Sequence, residues 1–359
     1  MSYTNSLDNP ELYFQTKLYT GNGGTQSITL DGSENMQPDW VWIKNRSASD
    51  HHSIYDSVRG ANKVLFSSRV NIAETTQSDG LTSFDSDGFS IGADGGVNTN
   101  SNNFVSWNWK AGTSFTNDAS STGIGTIDST GSASDTAGFS IVSYTGNNTS
   151  GATFKHGLST APSVVILKNR NLDNNRDWIV YHTGLTSASY YIYLNSSAAQ
   201  AGTYAGFWNN TAPNSSVITL GSGDTSSNGS GDTYIAYCFA EKKGYSKFGS
   251  YTGNGNADGT FTYLGFKPAF LIIKATATTD NWTMYDNKRP GYNSGNYFVF
   301  PNLSNAEDTS NSTWLEFFSN GFKVRATSST LNTSGNSYIY MAFAESPFVN
   351  SNGIPNNAR

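Results

Sequence analysis

The residues with chemistry to offer in this chain are few: four histidines, one cysteine and twenty-seven acidic side chains. Hydrolysis, metal catalysis or phosphoryl transfer would need some of them at fixed spacings. His51 and His52 fall in a polar loop, His156 precedes Gly157, and His182 follows Tyr181; no His-Glu-x-x-His run or spaced carboxylate cluster surrounds them. Asp85-Ser86-Asp87-Gly88 and Asp31-Gly32 look like fragments of calcium loops, but the further oxygen ligands and closing Glu are missing. Asp-Gly is also the chemistry of a tight hairpin, and the matching Asn320-Gly321 drops the charge. Glycoside hydrolysis needs two facing carboxylates. Glu34, Glu74, Glu241, Glu307, Glu316 and Glu345 are available, yet Glu241 and Glu345 end the same repeated strand, which points to a structural role. Neither a Gly-x-Ser-x-Gly elbow nor a phosphate-binding loop is present. Cys238, inside Tyr237-Cys238-Phe239, reads as a small buried hydrophobe. The expectation is a protein that is not an enzyme, with no catalytic residues, no metal and no cofactor.

Binding is the better prospect. Exposed aromatic rings stack on sugars, and the candidates are Trp107, Trp109, Trp208 and Trp314. Trp107 and Trp109 share one strand face, so that pair is either a core ridge or a binding strip. Lys44, Lys168 and Lys274 each close an apolar run, where a strand-end lysine is expected to carry its ammonium out to solvent.

The elements that must position these residues follow one pattern used three times. Each copy begins Tyr-Thr-Gly-Asn, at Tyr19, Tyr144 and Tyr251. After a polar turn each continues with a Pro and a run ending in Lys: Pro38 to Lys44, Pro162 to Lys168 and Pro268 to Lys274. A repeat of this length is an architectural unit. Its runs are short, frequent, rich in Tyr, Phe, Trp and Thr, and punctuated by Gly, as strands of a sandwich or barrel are. Helical periodicity is absent over any useful length. The fold expected is all-β, with three tandem, related β-sandwich units of jelly-roll or lectin-like form. An N-terminal docking segment, 1–17, precedes unit one at 18–112. A Gly/Ser/Thr-rich linker, 113–137, leads to unit two at 138–241; unit three covers 242–348, and 349–359 is a frayed tail. Leu7, Leu12, Tyr13 and Phe14 make the first segment too apolar for a free tail, so it should dock on a neighbouring unit or subunit. The equivalent positions Asp56, His182 and Asp286 differ between copies, which suggests a polar strand end.

Composition narrows the partners. The 359 residues are 36% hydrophobic, 13% charged and 14% aromatic, with net charge −6. Without a Lys/Arg stripe there is no footprint for nucleic acid. No apolar run approaches the ~20 residues of a membrane helix, so membrane insertion is not expected. The N-terminus also lacks the basic and apolar regions of a secretory signal.

Several longer stretches carry a resemblance. Pro-Asp-Trp-Val-Trp-Ile-Lys-Asn-Arg-Ser (38–47), Asp-Ser-Val-Arg-Gly-Ala (56–61), Leu-Thr-Ser-Phe-Asp-Ser-Asp-Gly-Phe (81–89), Trp-Asn-Trp-Lys-Ala-Gly (107–112), Gly-Phe-Ser-Ile-Val-Ser-Tyr-Thr-Gly-Asn (138–147) and Ser-Gly-Asp-Thr-Tyr-Ile-Ala-Tyr-Cys-Phe-Ala-Glu (230–241) resemble repeat proteins from the virion-structure regions of marine tailed bacteriophages. Such proteins are often labelled tail fibres. The resemblance, from about Leu18 to Phe348, implies a virion protein on the particle exterior, assembled in the host cytoplasm, with a capsid decoration protein as the rival in the same class and a glycan-degrading tail enzyme outside it. It implies other virion proteins as partners; the apolar residues of segment 1–17 predict a homo-oligomer, and the candidate tryptophans make a host-surface glycan a further ligand.

Overall fold

The structure, a computed structural model, describes residues 7–171, 176–289, 297–310 and 314–356. It is all-β, built from antiparallel sheets; its helices are short turns, such as Gly95–Asn98 and Ser329–Asn332. Three large sheets share one strand order. In the first, the opening strand Phe14–Thr20 pairs with the closing strand Asn103–Trp109, which pairs with Trp40–Asn45 and then Ser53–Asp56. The second repeats this with Phe139–Thr145, Thr233–Phe239, Val164–Asn169 and Ile179–His182, and the third with Ser246–Thr252, Ser337–Pro347, Phe266–Ala275 and Thr283–Asp286. A smaller sheet lies outside each: Gln26–Thr29 with Gly88–Ile91 and Leu81–Asp85; Ala152–Lys155 with Val217–Leu220; Phe261–Tyr263 with Gly321–Val324 and Leu315–Phe318. We call each pair of large and small sheets a lobe.

The Pro-to-Lys strand has no polar face because both of its faces are buried, each in a different core. Trp40 and Trp42 enter a cluster shared by all three lobes, while the alternate Val41 and Ile43 fill lobe one's own core. Val164 and Ile166 against Val165 and Leu167, and Phe270 and Ile272 against Leu271 and Ile273, repeat this division. Side chains that alternate across a strand make it possible. The three lobes therefore wrap one centre. Phe14 stacks on Phe343 at 5.5 Å, Trp40 stacks on Tyr237 at 4.6 Å, and Trp109 meets Phe270 at 5.4 Å.

The lobes close a ring. The Glu74 amide donates to the Arg170 carbonyl, Gln200 to Thr276, and Glu307 to Arg46, so lobe one holds two, two holds three, and three holds one. Trp178 Nε1 donates to the Phe66 carbonyl and Trp282 Nε1 to the Tyr193 carbonyl, so at these two junctions the second lobe of each pair also donates back to the first.

The Tyr-Thr-Gly-Asn motif is a clasp on a buried asparagine. Asn98, Asn228 and Asn332 accept the amides of Asn22, Asn147 and Asn254 on Oδ1, at 2.8, 2.9 and 2.8 Å. Each Tyr hydroxyl donates to a carbonyl next to that asparagine: Val97, Ser227 and Leu331. The Gly is required because a Cβ on Gly21, Gly146 or Gly253 would collide with the carbonyl of Thr99, Gly229 or Thr333.

Several expectations need correction. The described part of segment 1–17 does pack on a neighbouring unit, lobe three, but it is not separate from unit one, because its last residues already belong to the first strand. Leu7 and Phe14 lie in the shared core, Tyr13 packs edge-on against Tyr245, and the first strand starts at Phe14. Of the four candidates only Leu12 is exposed. The stretch 113–137 is not a linker. Its strands Thr113–Asn117 and Ser129–Ser134 widen the second large sheet, because Ser, Thr and Gly alternate there with bulk small enough to pair. The tail is tied down through 356: Val349 bridges Pro355, and Asn356 Nδ2 donates to the Ser319 carbonyl.

Candidate functional site

The tryptophans proposed from sequence divide cleanly by burial. Trp107 (0% exposed) and Trp109 (1%) stand in the shared core, so they are the core ridge and not the binding strip. Trp208 is buried edge-on to Tyr181, and Trp314 is half-buried and stacked on Phe298. None offers an open ring face to solvent of the kind a sugar platform needs.

The polar candidates are also interior. Lys44, Lys168 and Lys274 are buried, against the expectation that they reach solvent. Lys44 Nζ donates to the carbonyls of Asn45, Ala48, Asp50 and Ser304; Lys168 donates to Arg176, and Lys274 to Ala275. The loop after each strand folds back over the ammonium and supplies carbonyl oxygens in place of water. Burial pulls each pKa down to about 8, and Asp50, Asp177 and Asp280 partly oppose it.

Asp56, His182 and Asp286 are not strand ends in solvent; all three are buried at lobe junctions. Asp56 pairs with Arg59 and accepts from Tyr237 Oη of lobe two at 2.7 Å. Asp286 pairs with Arg289 at 2.6 Å and accepts from Trp107 Nε1 of lobe one at 3.0 Å. His182 Nε2 instead meets the Tyr340 carbonyl of lobe three at 3.0 Å, and burial lowers its pKa to about 4. Each ion pair extends outward: Arg59 and Arg170 share Glu74, and Arg289 and Arg46 share Glu307. Burial alone would raise Glu74, but Arg170 and Arg59 hold it below the ordinary carboxylate value. These buried groups stitch lobes together. His156 is likewise engaged, with the Asn214 carbonyl, and burial brings it to about 4; burial raises the Cys238 thiol to about 12. Among the described residues, no group of three or more His, Cys, Asp or Glu is placed to hold a metal ion.

An exposed aromatic face stands elsewhere, on the outer sheet of lobe three. Tyr263 is 53% exposed and Phe261 is 42% exposed. They alternate with the buried Thr262 and so point to the same, outward side. Phe318 is half-buried across the sheet, edge-on to Phe261 at 5.9 Å. The middle strand places Gly321 between Tyr263 and Phe318. A Cβ there would lie 3.1 Å from Phe261 Cζ, so the glycine lets the Phe261 ring lie over the sheet. Lys247 Nζ sits 5.6 Å from the Tyr263 ring centroid and donates to the Tyr263 carbonyl. Beside Tyr263 a cleft of about 500 Å³ opens, lined by Glu241, Lys243, Lys247, Leu264, Phe348 and Val349 among others.

Register shows how unusual this face is. At the places of Phe261, Tyr263 and Phe318, lobe one has Ser27, Thr29 and Asp85. Those residues form a polar face in which Ser27 bonds Ser90 and Ser90 bonds Asp85. Lobe two has Thr153 and Lys155 there, and its sheet edge is covered: Ile127 bridges Phe154 and Thr126 donates to the Thr153 carbonyl. Reading the chain by tryptophan alone missed this site. The alternation Phe261-Thr262-Tyr263, set against Ser27-Ile28-Thr29, was the available signal.

A family model described as a domain of unknown function (DUF7483) matches residues 9–347. The chain belongs to that family. No curated protein and no solved structure matches it. The DUF7483 span crosses all three lobes, in keeping with their shared core.

Proposed function

We propose that this DUF7483 protein is a non-enzymatic structural component of a bacteriophage virion exterior, of the tail-fibre or adhesin type, which meets the host surface or neighbouring virion proteins through the outer face of lobe three. The observation that carries the reading is that face: two exposed rings and a half-buried third, clustered where lobe one keeps hydroxyls and a carboxylate. Exposed apolar clusters on an otherwise polar body mark contact sites. The likeness of the repeat to virion proteins of marine tailed phages supplies the setting. A polar surface with few charges suits it, because screening at high ionic strength weakens charge-based contacts. The buried His156, His182, Lys44, Lys168 and Lys274 are committed to carbonyls, and Asp56 and Asp286 to ion pairs, which favours binding over catalysis.

Immunogold labelling of intact and detergent-dissociated particles of the encoding phage tests the location. Label on tails is expected; label spread over the head would replace this reading with capsid decoration, and no label on particles would overturn both. Incubation of the purified protein with host polysaccharide should release no new reducing ends, and their appearance would make it an enzyme.

A further inference from the structure

We infer that the outer face of lobe three binds an uncharged carbohydrate, with Phe261, Tyr263 and Phe318 as stacking rings. The inference rests on the proposed binding role for its biological setting; the chemistry comes from the face itself. Alternate residues of one strand lie ~7 Å apart and second-neighbour strands ~10 Å apart, so the three positions span an area of sugar-ring size. Rings at such spacing suit the C–H faces of sugars. Polar partners stand at the edge, with Lys247 Nζ, Tyr263 Oη and the cleft beside Tyr263 within one surface.

Charge selects against an ionic ligand. Lys323 and Arg325 both pair with Asp258, and Arg325 also pairs with Glu316 at 2.6 Å. With Lys247 over the Tyr263 ring and Glu241 and Lys243 in the adjoining cleft, four cations and three anions border the rings, so neither sign of charge dominates. A standard protein interface covers ~800 Å² on each side, so the rings alone would form only the centre of one, and a protein partner is an outcome of the test below. The surface fits a neutral ligand with both C–H faces and hydroxyls. Lobe one is the internal control, since it has no ring at the equivalent Ser27, Thr29 and Asp85, and Ser27 and Asp85 bond Ser90 and Ser83.

The test is affinity electrophoresis of the whole chain through gels containing dextran, laminarin or galactomannan, each uncharged, and alginate, which is anionic. Retardation by at least one uncharged polymer is expected, weakened about tenfold or more when lobe one's residues are installed (Phe261→Ser, Tyr263→Thr, Phe318→Asp). All three positions lie on the outer surface, so the variant should keep its melting temperature. If it does not fold, Tyr263→Thr alone is used and should weaken retardation severalfold. Failure of every uncharged polymer to retard the protein, retardation by alginate alone, or equal retardation of the variant would each overturn the inference. Sedimentation distinguishes the protein-partner case: self-association that the triple variant abolishes, with no retardation, would make the face an interface between copies. The virion reading would survive any of these results, because immunogold labelling decides it separately.

Discussion

The junction between lobes three and one buries Asp286 and Arg289 against Trp107, whereas the junction between lobes two and three buries His182 and Leu185 with Met341 at the register position of Trp107. The difference follows the neighbour. Trp107, like Tyr237 at the first junction, presents a hydrogen-bond donor to the seam, and a carboxylate accepts it. That carboxylate must then be neutralised in the dry interior, which Arg289 and Arg59 do. Met341 presents no donor. The carboxylate and guanidinium are then replaced by an imidazole and Leu185, and the imidazole bonds a backbone carbonyl instead. The buried Asp–Arg pair is thus not required at every junction, since one junction does without it. It answers a polar atom on the facing lobe, and so fixes which lobes can meet.

The largest expected effect comes from breaking one ionic junction by half. Arg289→Leu leaves the Asp286 carboxylate buried without its partner and should cost ~3–5 kcal/mol in urea unfolding. Converting the whole junction to the neutral type, with Asp286→His, Arg289→Leu and Trp107→Met together, should cost only ~2 kcal/mol, chiefly from lost indole volume. A triple variant less stable than Arg289→Leu would break the comparison.

Acid should weaken the neutral junction. His182 is held near pKa 4 when folded against an ordinary 6.5, so its stability contribution is present above 6.5 and is lost as pH falls toward about 4. Melting temperature should drop over that interval, and His182→Asn should flatten part of the slope; the buried His52 and His156 supply the rest. The lysines act in the same direction at higher pH. With folded values near 8 against 10.5, they add stability in full above about 10.5 and lose it as pH falls to about 8, so stability should rise from pH 8 toward 10. Buried tyrosines such as Tyr144 and Tyr251, raised by burial, remove stability above their ordinary value of 10 and should cap that rise.

The smallest effect distinguishes the lysines themselves. Lys44→Met strips four carbonyls of a donor and should cost ~1–3 kcal/mol, while Lys274→Met, where the Ala275 carbonyl is the bonded acceptor, should cost ~1 kcal/mol or less. Both are read from denaturant midpoints.

The all-β class and the thrice-used strand set were legible because turn residues and apolar runs recur in order. What was illegible depended on distance. Nothing local in Val41-Trp42-Ile43 tells that its two faces enter two cores, since that needs the other lobes. Lys44 looked like a strand end because the loop that covers it comes later in the chain and Ser304 comes from lobe three. Trp107 and Trp109 drew attention by residue type, although large rings are as often interior. The outer face of lobe three was legible in principle: Phe261 and Tyr263 stand where lobe one has Ser27 and Thr29, and Tyr263 and Thr29 both face a glycine.

The closed ring has a consequence for how the chain comes into being. Phe14, among the first described residues, finishes its packing on Phe343, near the last, so lobe one cannot cover its inner tryptophans until lobe three has been made. Pairings this remote along the chain fold slowly, and synthesis proceeds from the N-terminus at a limited pace. Trp40, Trp42, Trp107 and Trp109 therefore remain open to other nascent chains for most of translation, and soluble yield should depend on slow growth or holdase chaperones far more than on the stability of the finished protein.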